Sequence, residues 1–126
     1  MNPAQSSSVN WPYPTLFAHR GGGVLAPENT LAAMKVGHAH GFAAVEFDVK
    51  LSGDSVAILM HDSTLERTTS GRGPVAAKTI AELEQLDAGS WFDPAFKTER
   101  IPTIDQVLQV IAEYPDDEVL FTADLK

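Results

Sequence analysis

A chain of 126 residues with 44% hydrophobic content is the size of one globular domain built on one core. Nine basic side chains against seventeen acidic ones leave a net charge of −8 and no visible basic patch, which argues against a nucleic-acid partner. With no cysteine there are no disulfides, no thiolate chemistry and little prospect of structural zinc, and no apolar run is long enough for membrane insertion.

Residues 1–14 read as a polar, serine-rich N-terminal tail, with Trp11 to Pro14 suited to pack as a lid. This start lacks the basic end and apolar stretch of a signal peptide, so the cytoplasm is the expected location. Thr15 to Ala18 is a short apolar run that predicts a first strand. His19-Arg20 follow at once, then Gly21-Gly22-Gly23, which let backbone approach a ligand closely. Pro27-Glu28-Asn29 sets up a helix with Asn29 as its N-cap and Gly41 just past its end. Its predicted apolar face combines Leu31, Met34 and His38 with Ala32, Val36 and Ala39, while His38 and His40 read as ordinary helix or surface residues.

Ala44 to Val49 predicts a second strand, and Val56 to Met60 a third that ends at His61-Asp62. The turn between them is too short for a crossover helix. A hairpin about Gly53-Asp54 would set position 46 opposite 61; a parallel arrangement would leave both near one rim. Residues 63–101 interrupt the α/β rhythm and read as a small insertion beside the site, with a short helix capped by Thr79 and Glu82. Thr103 and Gln106 cap a longer helix whose core face is predicted as Ile104, Val107, Leu108 and Ile111, stopped by Tyr114 to Asp117. Val119 to Lys126 predicts a last strand with no closing element after it. The expectation is therefore a fragment of a larger fold, inactive alone, or else a homo-oligomer in which two copies pair edge to edge.

Glu46 and Asp48 lie two apart on a strand and project to one side. An isolated pair of this kind is as often a solvated edge as a site. Here Val45, Phe47 and Val49 occupy the other face and are expected to pack beneath helices, which sets the carboxylates on the inner face, where they must be paired or metal-bound. Asp124 offers a third oxygen and Lys126 follows on the same face; three carboxylates with water and phosphate oxygens suit Mg²⁺ or Ca²⁺. His19 and His61 each follow a strand directly, a placement that fits a general acid and a general base. Arg20 is suited to clamp a phosphoryl group. Together these are the parts of metal-assisted phosphoester cleavage.

His19-Arg20-Gly21, Pro27 to Thr30, Glu46 to Val49, His61-Asp62 and Leu65 to Thr69 resemble, in order and spacing, the glycerophosphodiester phosphodiesterase family. The likeness continues through Asp87 to Phe92 and Pro102-Thr103. Asn10 to Pro14 and the triple glycine are similar to the cytoplasmic bacterial branch attached to glycerol 3-phosphate uptake. The resemblance implies a TIM-type (β/α)8 barrel, of which residues 15–126 would be about the N-terminal half, with 63–101 as the family's insertion. It implies His19 and His61 as the acid/base pair, Arg20 and Lys126 on the substrate, and Glu46, Asp48 and Asp124 on a divalent cation, Mg²⁺ or Ca²⁺. Asp124 stands where the family usually has a Glu, one methylene longer. The substrate implied is a small glycerophosphodiester. The mechanism implied by the resemblance is attack of the glycerol 2-hydroxyl on phosphorus, departure of an alcohol such as choline as a cyclic phosphate forms, and opening of that ring by water to glycerol 3-phosphate. The alternatives are a phospholipase- or sphingomyelinase-like enzyme on the same barrel, or a non-catalytic binding or scaffold protein.

Overall fold

The computed structural model describes residues 17–18, 25–41, 44–114 and 118–123, with backbone alone for 17–18, 44–45 and 118–123. Within these, the strands are β1 (Phe17–Ala18), β2 (Ala44–Leu51), β3 (Ala57–Leu59) and β4 (Glu118–Ala123). The helices are α1 (Leu31–Ala39), α2 (Ile80–Leu83) and α3 (Ile104–Ile111). No helix among the described residues is long and apolar enough to cross a membrane.

Every other strand of this sheet is bonded to β2. Phe17 lies beside Ala44 and Ala18 beside Val45, both parallel, and β4 runs parallel to β2 from Ala44 to Val49. β3 returns antiparallel, with Val49 beside Leu59 and Leu51 beside Ala57. Ala44 is paired with both β1 and β4, and Val49 with both β3 and β4. A strand has only two edges, so β4 holds one, while β1 and β3 share the other in succession. α1 connects the parallel pair β1 and β2, and α3 precedes β4.

The hairpin is therefore the arrangement adopted, but its register is one residue away from the predicted one. Asp48 lies against Met60, whose N–H donates to the Asp48 carbonyl at 3.0 Å, so position 46 falls towards 62 and not 61. The turn centres on Asp54 alone. Its carboxylate accepts from the Ser52 hydroxyl and from the Ile80 N–H, and Ser55 adopts a left-handed φ of 66° to close the loop. A one-residue slip reverses which side chains face which partner, so this is a substantive correction.

Alternation along the hairpin divides the interior in two. Phe47, Val49 and Leu59 pack with Met34 of α1 and with Val107 and Val110 of α3. Ile58 and Met60 point the other way and join Leu65, Val75, Leu83, Ala88 and Ile101. Residues 63–101 thus form a second small core on the back of β3. The Glu99 carboxylate also accepts from the Ala32 N–H at 3.0 Å, tying the end of this segment to the first turn of α1.

The predicted caps hold for α2 and α3. Thr79 with Glu82, and Thr103 with Gln106, form reciprocal capping boxes. α1 differs: its N-cap is Thr30, whose backbone is extended and whose hydroxyl accepts from the Ala33 N–H. Asn29 has a left-handed φ of 56° and spends its amide elsewhere, as described below. Gly41, with φ 82°, ends α1 as predicted. The helix faces also shift. α1 buries Ala33, Met34 and Gly37, and α3 buries Val107 and Val110 while Leu108 is 53% exposed. α1 is apolar almost all round, so its pattern does not set the rotation; contact with the sheet does. His38, read as incidental, stacks on Tyr114 with ring centroids 3.6 Å apart.

Gly89 sits where the 87–96 loop folds back on itself. A Cβ placed there would lie 1.9 Å from the Phe96 carbonyl oxygen, so backbone would have to move. Gly89→Ala is expected to destabilise the protein by about 1–3 kcal/mol, a typical overpacking cost. Urea unfolding measures this, and hydrogen exchange should show lost protection at Phe92 and Asp93, whose N–H groups both donate to the Gly89 carbonyl.

Candidate active site

The site is built where β2, the turn before α1 and the end of the hairpin meet. On β2, Phe47 and Val49 are buried at 1% and 5% exposure against the helices, and Glu46 and Asp48 take the opposite, half-buried face. That division follows from the period of two and matches the expectation for these carboxylates.

Asp48 is held by a residue 19 positions away. The Asn29 amide donates to Asp48 Oδ2 at 3.1 Å and accepts from the Asp48 N–H at 3.2 Å, so one side chain clasps both backbone and carboxylate. Asn is among the few residues that adopt the left-handed region readily, and this conformation turns its buried amide towards β2. Thr30 takes over the capping role and also donates to the Pro27 carbonyl at 2.8 Å, which fixes the turn.

His61 follows Met60, the residue bonded to the Asp48 carbonyl, so the imidazole and the carboxylate belong to the same end of the sheet. Its Nδ1 lies 2.8 Å from Asp62 Oδ1. Arg67 grips Asp62 with a two-point fork, Nε to Oδ2 at 2.8 Å and Nη2 to Oδ1 at 3.0 Å. A second fork from the same guanidinium takes Glu28, Nη1 to Oε1 at 2.9 Å and Nη2 to Oε2 at 2.8 Å. The Arg67 fork, helped by the His61 hydrogen bond, holds the Asp62 carboxyl well below the usual carboxylate range although partial burial opposes it. Asp62 first and Glu28 second raise the Arg67 guanidinium above its already high value. A small pocket opens among these groups, lined by Asn29, Met60, His61, Thr68, Thr69 and Ile101 among others. The 63–101 segment thereby contributes one wall of the site.

Among the expected site residues, Glu46, Asp48 and His61 are described: the two carboxylates share one face of β2, and His61 follows the residue bonded to the Asp48 carbonyl. His19, Arg20, Asp124 and Lys126 lie outside the described residues. Among the described residues no group of three or more His, Cys, Asp or Glu gathers to hold a metal. The two carboxylates of β2 are nonetheless oxygen donors on one face, the donor chemistry a hard divalent cation takes. Glu28, Asp62 and Arg67 received no role from sequence reasoning, and Asn29 only that of a helix cap. Their partners are 19 or 39 positions away, or depend on how the chain turns after β3, and only the short motifs containing them marked them out.

Residues 19–124 match the Glycerophosphoryl diester phosphodiesterase family, and the chain belongs to it. A glycerophosphodiester phosphodiesterase of Caldanaerobacter subterraneus is 40% identical over 111 residues, 88% of this chain and 44% of that protein. A phosphodiesterase of Oleispira antarctica, solved in complex with its product sn-glycerol-3-phosphate, is similar at 41% identity and a TM-score of 0.84 over 87% of this chain and 44% of that one. A glycerophosphodiester phosphodiesterase of Agrobacterium tumefaciens is similar at 39% identity and a TM-score of 0.80, over 85% of this chain and 46% of that one. The fold is thus the α/β fold of this family, related to the (β/α)8 barrels, and the chain spans about half the length of these relatives.

Two outcomes follow from the hydrogen bonds at the site. Asn29→Gly keeps the left-handed backbone but loses the clasp, and should destabilise the protein by about 1–3 kcal/mol, the cost of stranding buried polar groups. Asn29→Ala adds left-handed strain of about 1 kcal/mol, so denaturant unfolding should rank it below the glycine variant. Asp62 has a lowered pKa in the folded state, so its contribution is in place above the unfolded carboxylate range, about 4, and is lost as the pH falls below it. Asp62→Asn should therefore show a shallower fall of Tm between about pH 5 and pH 2 than the unaltered protein.

Proposed function

We propose that the protein carrying this chain hydrolyses glycerophosphodiesters to glycerol 3-phosphate and an alcohol, using a divalent cation and two histidines. The observation that carries this reading is the path of the chain past Asp48: Met60, next to His61, donates to the Asp48 carbonyl, and Asn29, which lines one pocket with His61, clasps the Asp48 side chain. Family membership and the product bound to the Oleispira antarctica relative support the choice of substrate class. We read the parallel strands β1, β2 and β4 as the first three of a (β/α)8 barrel, with 1–14 as a tail and 63–101 as the insertion that walls the site. A barrel of this kind needs about 250 residues and carries its site at the carboxyl ends of its strands.

In this proposal Glu46, Asp48 and Asp124 hold Mg²⁺ or Ca²⁺, which when bound would neutralise charge on the non-bridging phosphate oxygens. Arg20 and Lys126 bind and orient the phosphate. One imidazole of His19 and His61 takes the proton from the glycerol 2-hydroxyl as its oxygen bonds to phosphorus. The other gives its proton to the alcohol oxygen as the bond from phosphorus to that oxygen breaks. Water then opens the cyclic phosphate with the roles exchanged, so the histidines end as they began. His61 suits either role, because its Nδ1 is engaged by Asp62 and proton traffic is left to Nε2. Asn10 to Pro14 and the triple glycine support assignment to the cytoplasmic bacterial branch of the family.

His61→Ala and His19→Ala in the full-length protein should each lower kcat on glycerophosphocholine by about 10²-fold or more, the usual worth of a placed acid or base. Treatment with EDTA should abolish release of glycerol 3-phosphate, and Mg²⁺ or Ca²⁺ should restore it. Undiminished turnover in metal-free protein would remove Glu46, Asp48 and Asp124 from the reaction.

A further inference from the structure

His61, Asp62, Arg67 and Glu28 form one hydrogen-bonded chain drawn from three separate stretches of sequence. We propose that Arg67 is a positioning residue: braced by Glu28, its guanidinium holds the Asp62 carboxylate against His61 Nδ1, so that proton transfer is confined to Nε2. This rests on the reading of His61 as an acid/base group.

The geometry is specific. Arg67 makes four hydrogen bonds to two carboxylates. Each carboxylate is gripped at both oxygens, which a planar fork can do and an ammonium cannot. Asp62 Oδ1 accepts from both Arg67 Nη2 and His61 Nδ1, so with Oδ2 fixed by Nε the carboxylate cannot turn away from the imidazole. Glu28, whose side chain is only 12% exposed, lies between the buried Pro27 and Asn29. The brace is therefore anchored in the turn that also orients Asp48. Side chains 45% and 43% exposed, as for Arg67 and His61, gain little stability from ion pairing. What the arrangement does supply is the ring's orientation and tautomer. An imidazole that donates Nδ1–H to a carboxylate keeps its lone pair on Nε2, and loss of that partner lets the other tautomer form.

The test compares the unaltered full chain with Arg67→Met, Arg67→Lys and Glu28→Gln, reading the ring ¹⁵N shifts of His61 by NMR and kcat and KM on glycerophosphocholine. The unaltered protein should show neutral His61 as the Nδ1–H tautomer. Arg67→Met should mix in the Nε2–H tautomer and lower kcat about 10- to 100-fold, part of the 10²- to 10⁴-fold worth of acid–base catalysis, with KM within about twofold. Arg67→Lys should recover little of this, and Glu28→Gln should give a smaller change in the same direction without touching the guanidinium. An unchanged His61 tautomer in Arg67→Met, or full recovery of kcat by lysine, would overturn the proposal. If the unaltered protein shows the Nδ1–H form but does not turn over the diester, the positioning stands and the catalytic reading of His61 falls.

Discussion

Side chains along β2 alternate, and the strand is paired on both edges, so each of its residues has one of two fates. Phe47 and Val49 enter the core beneath α1 and α3, and the same alternation obliges Glu46 and Asp48 to take the other face. A carboxylate placed there is partly removed from water and needs partners, and Asn29 supplies one to Asp48. The rest of the described structure is arranged about this strand. β4 closes one edge, β1 and β3 divide the other, and the hairpin returns the chain to Asp48 with His61 next in line.

The two cores have different consequences for the site. The helix-side core, from Met34 to Val110, fixes the height and rotation of β2. The second core, from Ile58 to Ile101, fixes residues 63–101 on the face that carries the carboxylates. Because β3 contributes Leu59 to one and Ile58 to the other, a shift of the hairpin by one residue would exchange them and displace His61 as well. Close packing on both sides makes such a slip costly, which is how a strand of three residues holds its register.

Electrostatics around His61 orient more than they stabilise. Exposed ion pairs contribute about 0–1 kcal/mol, and Arg67 is half-exposed. Yet its forks to Asp62 and Glu28 are bidentate and share one guanidinium plane, so they restrict angles even where the net energy is small. The Asn29 clasp is the buried counterpart. Its loss would take a donor from the Asp48 carboxylate and an acceptor from the Asp48 N–H in a half-buried strand. Both devices reach the site through the Pro27 to Thr30 turn, so that turn links His61 to the carboxylate face.

Much of this could be read from the chain alone, wherever the signal was local. The capping boxes at Thr79 and Thr103, the glycine after α1, and the opposite faces of Phe47 and Glu46 each depend on residues within a turn or a strand, where backbone geometry leaves few choices. The family was legible too, from ordered motifs between His19 and Thr69, and residues 19–124 match it. Tertiary structure alone decided the rest. Thr30 displaced Asn29 as the cap because Asp48, 19 residues on, engaged the amide. The hairpin register was set by a turn centred on Asp54 and anchored to Ile80. The burial of Val110 and exposure of Leu108 depended on which side of α3 met the sheet. The union of Glu28 with Arg67 spans 39 positions. Sequence periodicity records how an element is shaped, but the partner it meets is chosen by packing between distant parts of the chain, and no local pattern encodes that choice.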